Sequence, residues 1–262
     1  MDLGLTGKVA WVTAASKGLG FASALALARE GCDLAICSRS EDAIASAAER
    51  IRRETGRKVL AVAADVSRKE DLERFVNAAL AEYGGVDILV SNTGGPPAGG
   101  FLDFDDDAWV GAFNSLLMPA VRLSRAALPS MRERGYGRII YITSSGVKQP
   151  IQNLILSNAL RAAVTNMMKS LATEVASLGI TVNSVAPGRI HTDRVDSLDR
   201  GAAARTGKSV EEVRQASASR IPVGRYGTPD EFGRVVAFLA SETASYITGS
   251  ALQVDGGMVN SL

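Results

Sequence analysis

The chain has 262 residues, 46% hydrophobic and 22% charged, which excludes disordered, collagenous and fibrous classes. Lys+Arg 29 against Asp+Glu 28 leaves a net charge of +1, so no global field recruits nucleic acid or an anionic membrane surface. Residues Met1 to Lys8 hold no basic segment followed by an apolar stretch, and no apolar run reaches the roughly 18 residues of a membrane span; a cytoplasmic protein without membrane contact is expected.

Short β-branched runs alternate with longer segments of helical periodicity, the pattern of a parallel sheet covered by helices. Val9 to Thr13 reads as the first strand, followed by a Gly-containing turn and an Ala/Leu-rich helix through Arg29 that Gly31 caps. Asp33 to Cys37 is the second strand, Glu41 to Glu54 a helix, Val59 to Ala63 the third strand, and Lys69 to Tyr83 a helix closed near Gly84 and Gly85. Val86 to Val90 and Arg138 to Thr143 are strands on either side of a long helix, Asp106 to Glu133, in which Pro119 predicts a kink. After a loop through Pro150 come a helix from Asn153 to Leu178 and a strand from Ile180 to Val185. His191 to Pro222 is polar and without clear periodicity; Glu231 to Leu239 then reads as a helix and Ala251 to Val254 as the last strand.

No linker, composition shift or fixed-period repeat divides residues 1–262. The expected architecture is α/β: a single-domain Rossmann-type doubly wound parallel sheet of about seven strands. Ligands of such sheets sit beyond the carboxyl ends of the strands. That rule places the chemistry in the loops after Val12, Cys37, Val90, Thr143 and Val185, and makes residues 191–222 a substrate lid at the same edge. Cys32 and Cys37, inside an apolar run and without ligand-like spacing to the single His191, read as buried reduced thiols, and no metal site is expected.

Thr13-Ala14-Ala15-Ser16-Lys17-Gly18-Leu19-Gly20 lies between the first strand and the first helix, where backbone N–H groups and glycines can cradle a pyrophosphate. At the end of the second strand Ser38-Arg39 stands where an acid would hold ribose hydroxyls. An arginine fork there, with Lys17 as a second charge, suits a 2′-phosphate and points to NADP(H) rather than NAD(H).

With these residues in place the chain resembles the short-chain dehydrogenase/reductase family from end to end, and in style its β-ketoacyl carrier-protein reductase-like members. Thr13 to Gly20 is similar to that family's T-G-x-x-x-G-x-G turn, and Asp65-Val66 to the pair that meets the adenine. Ser91-Asn92-Thr93-Gly94 is similar to its N-N-A-G segment. Pro187-Gly188-Arg189-Ile190-His191-Thr192 is similar to the P-G-x-x-x-T segment at the nicotinamide, and Asp255-Gly256-Gly257 to the C-terminal signature. The resemblance implies hydride transfer between NADP(H) and a small carbonyl or alcohol substrate, and a homotetramer packed through the two long helices. It also implies that Asn114 matches a water-holding asparagine and Ser144 the serine that binds the reacting oxygen.

The match fails at two positions. Aligning Ala159 to Val164 with the family's A-S-K-A-A-V puts Ser157 at the catalytic tyrosine and Arg161 at the lysine. A serine hydroxyl is a far weaker acid than a phenol of pKa about 10, and a guanidinium does not shuttle protons. Ser144 and Ser157 are then expected to polarise the oxygen, with Arg161 supplying positive charge and water the proton. The departures leave two alternatives, a nucleotide-binding or regulatory protein without turnover, and non-redox chemistry on an anionic substrate. Tyr141 and His191 are candidate replacements for the phenol, and Ala14, in place of the turn's first glycine, predicts strain if its φ is positive.

Overall fold

In the computed structural model, which describes residues 2–261, seven strands form one sheet. They are Val9–Thr13 (β1), Asp33–Ser38 (β2), Val59–Ala63 (β3), Ile88–Ser91 (β4), Gly137–Ile142 (β5), Ile180–Pro187 (β6) and Ala251–Val254 (β7). The order is β3-β2-β1-β4-β5-β6-β7, with every neighbouring pair parallel. The order in which successive strands are added reverses between β1 and β4, and the crevice at that switch point is where ligands of doubly wound sheets bind.

Successive strand side chains point to opposite faces, so β1 feeds two cores. Ala10 and Val12 pack on the side covered by Gly18–Arg29 (α1), Glu41–Thr55 (α2) and Pro229–Ala240 (α8). Val9 and Trp11 pack on the other side, under Lys69–Tyr83 (α3), Asp106–Arg134 (α4) and Ile155–Val175 (α5), where Trp11 meets Phe75 edge to face at 6.0 Å. The central strands are covered on both faces, and for that reason β1, β2 and β4 are largely apolar rather than alternating. Cys32 and Cys37 are free and buried, and burial pushes both thiols up to about 12, which leaves them chemically silent. Among the described residues no helix is long and apolar enough to cross a membrane.

Local chemistry starts most helices. Ser40 Oγ accepts from Ala43 N at 3.2 Å to begin α2, and Asp105 accepts from Ala108 N at 2.9 Å to begin α4, which continues through Pro119 and Pro129 for 29 residues. The 191–222 segment differs from the irregular stretch expected: it folds into Asp193–Thr206 (α6) and Val210–Ala218 (α7). Thr192 caps α6, and Ser209 with Glu212 forms a capping box on α7. The buried carboxylate of Asp199 fastens α6 down by accepting from Arg189 at 2.8 Å and from the Tyr226 hydroxyl at 3.1 Å.

Candidate active site

A cleft of about 810 Å³ runs along the carboxyl edge of the sheet across the switch point, from Arg39 to Arg161. The size suits a ligand larger than a single small metabolite. Of the residues expected from sequence, Ser16, Lys17, Gly18, Leu19, Ser38, Arg39, Asp65, Val66, Asn92, Thr93, Gly94, Pro187, Gly188, Ile190, Thr192, Ser144, Ser157 and Arg161 all line it. Arg189 of the Pro187 to Thr192 segment lines it too, and Ser67, Ser115, Ser145, Arg194 and Leu198, to which the sequence assigns no role, join them.

The turn after β1 is built for close approach. A Cβ on Gly20 would lie 2.3 Å from the Ala14 carbonyl oxygen and 2.8 Å from Asn92 Nδ2, so glycine alone lets α1 start this close beneath the turn. No side chain caps α1, and the N–H groups of its first turn remain for a ligand anion. Thr13 and Gly20 do not line the cleft: Thr13 is fully buried, and its hydroxyl donates to Asn92 O at 2.7 Å while accepting from Asn92 N at 3.0 Å, stitching β1 to the loop after β4. Ala14 does carry φ +48°, a conformation costing an L-residue roughly 1–2 kcal/mol. Asn92 Nδ2, donating to Ala14 O at 3.3 Å, helps hold it there. Ala14→Gly should relieve this strain but loosen the unfolded chain, for a net gain of about 0.5 kcal/mol measured by denaturant titration.

Arg39 is exposed and has no carboxylate within ion-pair distance among the described residues, so its fork is available at the mouth of this end of the cleft. Lys17 is engaged by a carboxylate. Its ammonium lies 2.5 Å from Asp193 Oδ2 and lowers the Asp193 pKa through that hydrogen bond, pairing the turn with the start of α6.

At the other end, Ser144 Oγ accepts from Gly146 N at 3.1 Å, leaving its proton to donate into the cleft. Ser157 is buried on α5 and lines the same wall. Arg161, one turn further on, donates to Ile142 O at 2.8 Å and to Gly94 O at 3.4 Å. Burial, and then the neighbouring Arg194 guanidinium, pull its pKa down to about 10, and it remains a cation at neutral pH.

Three more expected residues are elsewhere. Asn114 is absent from the cleft wall, and Ser115, next along α4, lines it. Tyr141 points into the core under α4, its hydroxyl 2.5 Å from Ser124 Oγ and its pKa pushed up to about 12 by burial. His191 is exposed and packs against Tyr226 with ring centroids 5.1 Å apart and planes tilted by 46°, outside the cleft. No tyrosine, histidine or cysteine lines the cleft among the described residues.

This fold and site define a nucleotide-binding α/β protein of the reductase type. The family profile described as Enoyl-(Acyl carrier protein) reductase matches residues 13–259. A 3-oxoacyl-[acyl-carrier-protein] reductase, FabG, of Vibrio cholerae serotype O1 is 39% identical over 98% of this chain and 99% of its own. The L-sorbose reductase of Gluconobacter frateurii, solved with NADPH and L-sorbose, superposes with a TM-score of 0.95 at 36% identity over the whole of both chains. An actinorhodin polyketide ketoreductase variant solved with NADPH gives a TM-score of 0.93 at 34% identity over 97% of this chain and 98% of that one. The chain belongs to the short-chain dehydrogenase/reductase family.

Proposed function

We propose that the protein is an NADP(H)-dependent oxidoreductase acting on a small carbonyl or alcohol, with Ser144, Ser157 and Arg161 serving the reacting oxygen. The observation that carries this reading is one continuous cleft joining the Gly20 turn and Arg39 at one end to two serine hydroxyls and a cation at the other. The residues fit the cofactor: the uncapped α1 start suits its diphosphate, Arg39 a 2′-phosphate, Asp65 and Val66 the adenine side, and Pro187, Gly188, Ile190 and Thr192 the nicotinamide side. When bound, NADP(H) supplies the electron pair exchanged with the substrate carbon.

Ser144 and Ser157 hydrogen-bond the substrate oxygen, and the Arg161 charge stabilises the negative charge that develops there on reduction. The proton comes from water, because among the described residues neither phenol nor imidazole lines the cleft. Carbonyl reduction at saturating NADPH should therefore show no inflection between about pH 6 and 8, where a histidine-mediated transfer would show one. A panel of ketones followed by loss of NADPH absorbance tests the reading. Tight NADPH binding without turnover of any carbonyl or alcohol would instead favour a sensor.

The segment 191–222 acts as the lid: Thr192, Asp193, Arg194, Val195 and Leu198 form one wall of the cleft, and the Lys17 to Asp193 pair spans from this wall to the turn. The protein works as a homotetramer in the cytoplasm. Exposed Phe101, Leu102, Val110 and Phe113, on and before the first part of α4, support association through the long helices. Light scattering should report four chains; a monomer at micromolar concentration would overturn the assembly.

A further inference from the structure

Two arginines from different elements converge on the loop after β4. Arg161 of α5 reaches Gly94 O, and Arg194 of α6 donates to Pro96 O at 2.8 Å. Arg194 also lies flat over Gly95, where a Cβ would sit 2.6 Å from its Nε and 2.7 Å from its Cζ. Both side chains line the reacting end of the cleft with Ser144 and Ser157.

Neither has a carboxylate partner within ion-pair distance among the described residues. The nearby arginines differ in this: Arg189 pairs with Asp199 at 2.8 Å, Arg214 with Asp196 at 2.6 Å and Arg225 with Glu231 at 2.7 Å. The two cations are close enough for Arg194 to depress the Arg161 pKa, and burial depresses both. Like charges held together in a partly desolvated wall are unfavourable until an anion joins them. Each guanidinium carries five N–H donors, and the backbone bonds above use two on Arg161 and one on Arg194. The remaining donors leave room for a bidentate oxyanion.

We propose that Arg161 and Arg194 form a subsite for an oxyanion on the substrate, a carboxylate or a phosphate, so that the protein selects oxo acids or phosphorylated ketones over neutral carbonyl compounds. This rests on the oxidoreductase reading. Arg194 grips the anion while Arg161 is shared between the anion and the reacting oxygen, and Gly95 is side-chain-free because the Arg194 plane occupies that space.

The test measures binding rather than turnover. Calorimetry on the NADP⁺-loaded protein, which cannot reduce a ketone, uses a series of 3-oxo carboxylates of increasing chain length, their methyl esters, and dihydroxyacetone phosphate. At least one acid, or the phosphate, should bind about tenfold or more tightly than its neutral counterpart (methyl ester or dihydroxyacetone), and Arg194→Gln should remove that advantage while leaving NADPH affinity within about threefold. Gln still reaches the Pro96 carbonyl, and Arg194→Lys, which keeps the charge without the fork, should fall between; circular dichroism confirms both variants fold.

Equal binding of charged and neutral members in the unmodified protein would overturn the subsite. So would an Arg194→Gln variant that weakens NADPH as strongly as it weakens the acids, because the arginine would then serve the cofactor diphosphate. In a parallel absorbance assay, Arg194-dependent anion binding with no NADPH oxidation by any member of the series would leave the subsite standing and count against the oxidoreductase reading instead.

Discussion

Arg39→Asp should reverse the cofactor preference, weakening NADPH by about 100-fold and strengthening NADH, so that the ratio of the two affinities swings by about 10²–10³. A charge-assisted fork on a phosphate contributes roughly 1.5–3 kcal/mol, or about 10- to 150-fold, and an aspartate in its place adds repulsion of the dianion. The same aspartate accepts hydrogen bonds from unmodified ribose hydroxyls, which is how NADH gains. Arg39 is exposed and makes no ion pair among the described residues, so the substitution should change folding stability by no more than about 0.5 kcal/mol. Fluorescence titration with each nucleotide checks the ratio. NADPH affinity unchanged by the substitution would show that the 2′-phosphate is held elsewhere or not at all.

The sheet was legible because its rule is simple: β1 and β2 are buried runs of mostly apolar residues, and each is followed by a helix with a readable start or stop. The crevice then followed from topology, and with it the turn at Gly20 and the basic residue ending β2. The segment from His191 to Pro222 failed for a different reason. Its helices are polar, with buried residues limited to Val195, Asp199 and Ala203 on α6 and none on α7, so periodicity carried little signal. The signal was in the caps: Ser209-Val210-Glu211-Glu212 is a capping box in plain sight, and reading it would have placed α7. With α6 missed, Arg194 was missed too, since nothing in the sequence says that a lid residue lies over Gly95. Asn114 shows the limit of matching by residue type. One position along a helix is a rotation of about 100°, enough to put Ser115 rather than Asn114 on the wall.

Arg161→Met should lower the rate of carbonyl reduction by about 10²–10³ with much less effect on NADPH binding. The guanidinium is the one charged group that sits one helical turn from Ser157 and on the same wall as Ser144, and losing a preorganised donor to a developing oxyanion costs on that order. Stability moves by less. The variant gives up charge-assisted bonds to Ile142 O and Gly94 O, but it also removes a partly desolvated cation and its repulsion with Arg194, so the two changes offset to a net loss of about 1–2 kcal/mol. Arg161→Lys separates charge from shape: an ammonium here restores the field without the fork that spans Ile142 O and Gly94 O, and should recover part of the lost rate. A methionine variant that keeps its rate within about threefold, while folded and NADPH-competent, would remove Arg161 from the chemistry and leave the two serines and water to carry it.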